Sequence, residues 1–263
     1  MESAFDAVAK QYDNEFSYSA VGKAQRACVW RHLGAILPSK KVQILEMNCG
    51  TGEDAIRFIK LGHSVLLTDV SNEMVTTATN KLEQEGLTNF STSIWNLKDT
   101  FPLASDKYDL IFSNFGGWNC LSKSELMALA IQCEKLLSPD GKIVAVVMGR
   151  KCLWEKWYFR FKQKPEEQKR RQLTTPSKAR LDKVSAVDTW YYSPDEIAQL
   201  FSGFAVTKIK PIGLFIPPSY LNPFFSNKLF LLKILTGLDK LFSFSMLSNY
   251  ADHFLIVLEK KNN

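Results

Sequence analysis

Gly50-Thr51-Gly52-Glu53-Asp54-Ala55 reads as G-x-G-x-x-A, a turn whose glycines let a ligand approach the backbone at the start of a helix. Asp69 follows nineteen residues after Gly50, close to the spacing of the acid that accepts ribose hydroxyls in nucleotide-binding α/β folds. Alone, this pattern suits NAD. The neighbouring acids argue otherwise: Glu46 precedes the turn, and Glu53 and Asp54 occupy the first helical turn, where a pyrophosphate would need the helix N-terminus. Three carboxylates there repel phosphates, whereas a phosphate-free cofactor bearing an ammonium and a sulfonium tolerates them. Glu53 and Asp54 also suit compensation of the helix dipole. Glu46 ends an otherwise apolar stretch and needs a partner. For proton transfer, His253, preceded by Asp252, is the first candidate base, with Tyr191, Tyr192 and Glu155 behind it.

These residues need a scaffold, and the hydrophobic pattern supplies one. Unbroken apolar strands are expected at Val42–Met47, His63–Val70, Ser93–Leu97, Tyr108–Ser113 and Lys142–Met148, the last preceded by a Ser138-Pro-Asp-Gly141 turn. Helical spacing separates them over Glu53–Leu61, Ser71–Glu85 with Ser71 as N-cap, and Ser124–Leu137. Such alternation implies a parallel sheet covered on both faces. Ser193-Pro-Asp-Glu196 is a capping-box start for a helix to about Phe201. Two further strands, Phe204–Ile212 and His253–Lys260, flank a segment with an apolar helix-like run over about Asn227–Leu247.

The 263 residues, 46% hydrophobic and 23% charged, describe an ordinary globular chain, read as one enlarged domain. Five scattered cysteines without a C-x-x-C pair indicate neither a disulfide framework nor a thiolate zinc site, and three separated histidines make a metal centre unexpected. A reducing, cytoplasmic setting is expected. No signal-peptide pattern opens the chain, and Lys233, Asp239 and Lys240 interrupt the longest apolar stretch, so a soluble protein is expected. The formal charge of +6 is uneven: Arg150–Lys183 holds twelve Lys/Arg against four Asp/Glu, in a segment that breaks the strand–helix alternation.

Together, Phe5-Asp6-x-x-Ala9-x-x-Tyr12-Asp13, Ile44-Leu-Glu-Met-Asn-Cys-Gly-Thr-Gly52, Asp69, Tyr108-Asp-Leu-Ile-Phe-Ser-Asn-Phe115 and Leu136-Leu-Ser-Pro-Asp-Gly141 resemble the class I S-adenosylmethionine-dependent methyltransferases, in particular those acting on small molecules in ubiquinone and menaquinone biosynthesis. The resemblance covers about residues 5–149 and, weakly, 190–260. It implies a Rossmann-like, doubly wound α/β fold with a seven-stranded, mostly parallel sheet whose last two strands form an antiparallel pair. It also implies S-adenosylmethionine as cofactor: Glu46, Asn48, Gly50 and Gly52 at the methionine moiety, Asp69 at the ribose, and Val70, Met74, Asn96 and Leu97 at the adenine. Ser113, Asn114 and Phe115 would form the floor beneath the methyl group, with Tyr12 closing over it. Asn48 stands where the family usually has Gly, and Asn96 where it often has Asp.

The stretches 150–190 and 214–248 fall where this fold carries substrate-covering lids, and Trp154, Trp157, Tyr158 and Phe161 share one helical face. The expected acceptor is a small apolar, aromatic or lipid-like molecule, methylated on oxygen or nitrogen by a monomer or homodimer, with the basic part meeting an anionic group or a membrane surface. Arg170 and Arg171 also read as ordinary solvated surface. Three alternatives stay open. RNA methylation would use the basic segment, although Asn114-Phe-Gly-Gly117 lacks the acidic or Asn-Pro-Pro-Tyr pattern of base-modifying relatives. A noncatalytic cofactor-binding protein and an NAD-dependent oxidoreductase are the others.

Overall fold

The computed structural model describes residues 3–102, 107–181 and 185–261. The chain enters through a 3-10 turn (Asp6–Val8), α1 (Ala9–Tyr12), a π-helical turn (Asp13–Ser17) and α2 (Ala20–Leu33). Then follow β1 (Gln43–Met47), α3 (Glu53–Lys60), β2 (Ser64–Asp69), α4 (Asn72–Gln84), β3 (Phe90–Ile94), β4 (Tyr108–Ser113), α5 (Lys123–Leu136) and β5 (Leu137–Met148). The insertion folds as α6 (Leu153–Phe161), α7 (Pro165–Lys169) and a hairpin of β6 (Ser177–Arg180) and β7 (Ala186–Thr189). The chain closes with α8 (Pro194–Leu200), β8 (Phe204–Ile212), α9 (Asn222–Phe225), α10 (Leu229–Leu241), a 3-10 segment (Ser245–Tyr250) and β9 (His253–Lys260).

Seven strands form one sheet in the order β3-β2-β1-β4-β5-β9-β8. All are parallel except β9, which runs antiparallel between β5 and β8. Ile44, Phe112, Val144 and Val257 face a core completed by α2, α3 and α10, whereas Leu45, Ile111, Ala145 and Ile256 face one completed by α5 and α8. This two-sided burial is why the central strands carry unbroken apolar runs. The strand order reverses between β1 and β4, so the loops leaving their carboxyl ends diverge and open a crevice.

Three expected boundaries move. The third strand is Phe90–Ile94, not Ser93–Leu97, because Asn96 Oδ1 accepts from Lys98 N at 3.1 Å and turns the chain. The 138–141 turn is absorbed into β5 as an irregularity, with the register stepping from Tyr108↔Leu137 to Leu110↔Lys142. The apolar run expected over 227–247 is α-helical only over Leu229–Leu241, after which Ser243 O accepts from Lys210 Nζ at 2.9 Å and the chain resumes as the 3-10 segment.

Candidate functional site

The loop after β1 turns through three left-handed residues, Asn48 (φ 46°), Gly50 (φ 53°) and Gly52 (φ 80°). Asparagine tolerates that conformation better than most residues with a side chain, which is how it replaces glycine at 48. Its amide also has work to do: Nδ2 donates to Asn114 O at 2.7 Å, and Oδ1 accepts from Ser113 Oγ at 2.6 Å. The Asn48 side chain therefore ties the end of β1 to the end of β4, and only glycine fits opposite, since a Cβ on Gly117 would lie 2.0 Å from Asn48 Oδ1.

Asp69 closes β2 beside this loop. Its Oδ2 accepts from Gly50 N and its Oδ1 from Ser71 N, both at 3.0 Å. Each oxygen keeps a lone pair for a hydroxyl donor. Burial pushes its proton affinity up despite these bonds. Glu46 goes further: it is 2% exposed, and Oε2 has no hydrogen-bond partner. Burial, with the charges of Asp54 and Asp69 near it, raises its pKa well above the ordinary carboxylate range against the opposing pull of Arg26. A buried acid left in that condition costs stability unless a cationic or proton-donating ligand satisfies it.

The two acids of the first helical turn behave differently. Asp54 is paired with Arg26 and accepts from Trp30 Nε1 at 2.6 Å and Asn114 Nδ2 at 2.8 Å. Burial pushes its pKa up, but these partners outweigh it and hold the carboxyl below its usual value. Glu53 pairs with Lys81 and accepts from the Tyr18 hydroxyl at 3.0 Å. The expectation of three free carboxylates at this turn is thus corrected: Asp54 and Glu53 are paired with cations from α2 and α4, and only Glu46 of the three lacks a cationic partner among the described residues.

The N-terminal segment covers the loop. Asp13 accepts from Thr51 Oγ1 at 2.5 Å and Lys81 Nζ at 2.8 Å, while Asp6 accepts from Ser71 Oγ at 2.5 Å. These latches put the Tyr12 ring against Gly50, whose built Cβ would meet Cε1 at 4.0 Å. Met74 packs under Val8 and Ala9. Val70 stands exposed at the end of β2. Asn96 Oδ1, expected to accept from an adenine amino group, already accepts from Lys98 N, and Leu97 packs partly into the core.

At the other end of the crevice Phe115 takes a left-handed φ of 44°, a strained setting of the kind that clusters at functional sites. The Arg26 guanidinium lies 5.4 Å from its ring centroid, and the His253 ring meets it edge-on at 5.3 Å. His253 reaches this point because β9 pairs it with Met148 at the carboxyl end of β5. Its Nδ1 is 3.2 Å from Asp252 Oδ2 without hydrogen-bond alignment. Asp252 Oδ2 also accepts from Gln25 Nε2, and Oδ1 from Arg171 Nη2 at 2.6 Å.

Two candidate bases are otherwise committed. Glu155 is buried with one oxygen on Arg170 and the other on Arg171, so it has no free face for proton transfer. The Tyr192 hydroxyl donates to Leu121 O at 2.5 Å. Tyr191 is buried with its ring under the Arg171 guanidinium at 5.0 Å. Arg171 is itself a correction to the solvated-surface reading: it is buried, and Nη1 also donates to Gly149 O and Asp252 O. The sequence reading missed Arg26, Trp30 and Lys81, whose partners lie 24–68 residues away and leave no local pattern. The second lid also sits differently from expectation. Leu214–Phe225 runs beside α6, with Trp154 Nε1 donating to Phe215 O, but α10 packs on α2 through Cys28 and Asp239.

Residues 44–141 match the family described as "Methyltransferase domain". The strand order and the reversed β9 are those of the Rossmann-like methyltransferase fold, within which this segment lies. Among curated proteins, it is 28% identical over 86 residues to the tRNA 5-carboxymethoxyuridine methyltransferase of Escherichia coli (strain K12), covering 32% of this chain and 33% of that one. It is 26% identical over 110 residues to the ubiquinone/menaquinone biosynthesis C-methyltransferase UbiE of Marinomonas sp. (strain MWYL1), covering 41% and 43%. The matched stretches thus span less than half the length of either relative. The fold superposes on the CcbJ methyltransferase from Streptomyces caelestis with a TM-score of 0.64 at 15% identity, over 99% of both chains. On the DhpI–SAH complex the TM-score is 0.61 at 14% identity, over 98% of this chain and 94% of that one.

Proposed function

We propose that this protein transfers a methyl group from S-adenosylmethionine to a small acceptor held at the Phe115–His253 end of the crevice, leaving S-adenosylhomocysteine. The observation that carries the reading is the orphaned Glu46 carboxylate, buried beside a left-handed glycine loop and within the influence of Asp69. An amino-acid ammonium satisfies Glu46, ribose hydroxyls complete Asp69, and neither requirement calls for a phosphate. That the DhpI neighbour is a SAH complex agrees with this chemistry. The cofactor supplies an activated methyl group on a sulfonium. The chain aligns acceptor and methyl group, an effect worth up to about 7–11 kcal/mol. Tyr12 covers the loop, Val70, Met74, Asn96 and Leu97 border the adenine side, and Ser113–Phe115 shape the floor.

His253, on the far side of Phe115, takes the proton from an oxygen or nitrogen acceptor, and the Asp252 carboxylate 3.2 Å from its Nδ1 favours the imidazolium that forms. The insertion 150–190 and the first half of 214–248 wall the acceptor side. Calorimetry tests the cofactor: micromolar binding of S-adenosylmethionine with no uptake of NAD is expected, and the reverse overturns the reading. His253→Ala should leave that binding intact while lowering turnover by about 10²-fold or more, the usual worth of a positioned base. Wild-type turnover would remove His253 from the chemistry. RNA is the second reading, favoured by the tRNA-modifying relative and by exposed Lys156, Arg160, Lys162 and Lys164. RNA affinity falling steeply with salt would select it.

A further inference from the structure

The outer surface of α10 has no function in the site described above. Along this helix Leu232, Leu235 and Asp239 face inward against the core and α2. Phe230, Ile234 and Leu241 recur at i, i+4 and i+11 on the opposite side, where Phe230 is 78% and Leu241 66% exposed. The apolar surface continues past the helix into Phe244 and Met246, the latter 76% exposed. A soluble surface helix is apolar on its inward stripe only and charged or polar on its outer face.

Charge in the same region has one sign. From Gly213 to Tyr250 the sequence holds a single acid, Asp239, and that acid is buried, accepting from Gly213 N at 3.1 Å and Phe215 N at 2.5 Å. Lys228, Lys233 and Lys240 are all exposed. The exposed face is therefore apolar, and the exposed charges within 213–250 are all lysines. No helix among the described residues is long and apolar enough to cross a membrane, and α10, at 13 residues, is about 20 Å long. These are the properties of a helix that lies in the boundary between lipid headgroups and acyl chains.

We propose that α10 and the turn after it form a docking surface for an anionic phospholipid bilayer. Phe230, Ile234, Leu241 and Met246 enter the acyl boundary, and Lys233 and Lys240 meet lipid phosphates. The absence of an exposed carboxylate from Gly213 to Tyr250 favours this occupant over a second copy of the chain, because facing like-charged lysines would repel across a symmetric interface. The inference stands apart from the methyl-transfer reading, since partitioning requires neither cofactor nor turnover.

The test is sedimentation of the full chain with phosphatidylcholine vesicles, with and without a quarter phosphatidylglycerol, at low and high salt. Binding to the anionic vesicles and little to the neutral ones is expected, weakening in salt. Phe230→Ser with Leu241→Ser should lower partitioning about tenfold or more, and Lys233→Gln with Lys240→Gln should lower it several-fold on anionic vesicles. Both pairs are exposed, so unchanged circular dichroism and melting are expected, and each variant is scored only after that check. Failure of the wild-type chain to sediment with anionic vesicles overturns the proposal, as does binding that neither pair of substitutions weakens. A dimer in light scattering that the Phe230/Leu241 variant dissociates also overturns it, assigning the face to self-association.

Discussion

Two regions of this molecule bury carboxylates at the carboxyl end of the sheet and treat them in opposite ways. At the joint between the insertion and β9, Glu155 and Asp252 are saturated by Arg171, with Arg170 and Gln25 assisting. Burial pushes the Asp252 pKa up, but His253 and Arg171 outweigh it and hold the carboxyl well below its usual range. At the glycine loop Glu46 has no partner for Oε2, and its proton affinity is raised. A saturated buried acid is architecture; an unsatisfied one beside a crevice is a candidate ligand-binding group.

The contrast is sharpest where one side of it is removed. Arg171→Ala strands two buried carboxylates, so a loss of about 3–5 kcal/mol is expected, read as a fall in Tm of roughly 10 °C or as failure to fold. Arg171→Lys should recover little, since an ammonium cannot reproduce the fork. Because Asp252 is ionised in the fold below its ordinary pKa, its contribution is present above that value and lost as pH falls toward the folded pKa. A melt series from pH 6 to pH 3 checks the sign.

Glu46→Gln should act in the other direction on stability. A raised folded pKa means that the fold binds protons the unfolded chain releases, so this group penalises folding increasingly as pH rises above the ordinary glutamate range. Removing the charge is expected to stabilise the ligand-free protein by about 1–3 kcal/mol near neutral pH. The same change should weaken S-adenosylmethionine binding by a comparable amount. In the wild type, binding should release a proton and strengthen with pH, which calorimetry in buffers of different ionisation enthalpy detects. A Glu46→Gln protein no more stable than wild type would break the contrast between the two regions. The smallest effect is expected at Tyr12, where Tyr12→Leu removes a ring that faces the loop and with it about 0.5–2 kcal/mol of cation–π attraction for a sulfonium. Titration of the donor and of its neutral thioether product separates that term from packing.

Much of this was legible locally. Ile44-Leu45 and Ile143-Val-Ala-Val-Val147 are buried on both faces and could be nothing but central strands, and Ser71 and Ser193 cap the helices they announce. Gly50, Gly52 and Asp69 could be read together because a glycine turn and an acid one strand later are fixed by the βαβ unit itself. Arg171 could not. Its neighbours in sequence are basic and polar, and its burial depends on Glu155, 16 residues earlier, and Asp252, 81 residues later. Nor could Arg26 be assigned to Asp54, 28 residues on, from the pattern of α2.

The sequence by itself determined the strand–helix alternation, the left-handed turn and the identity of the acids around it, because these follow from periodicity, backbone sterics and spacing within a few tens of residues. Only the tertiary structure decided which acids are neutralised and which are left waiting, and which side of α10 meets solvent. Those outcomes depend on cations and apolar surfaces brought from distant parts of the chain, and electrostatic pairing acts through space with no regard for sequence separation.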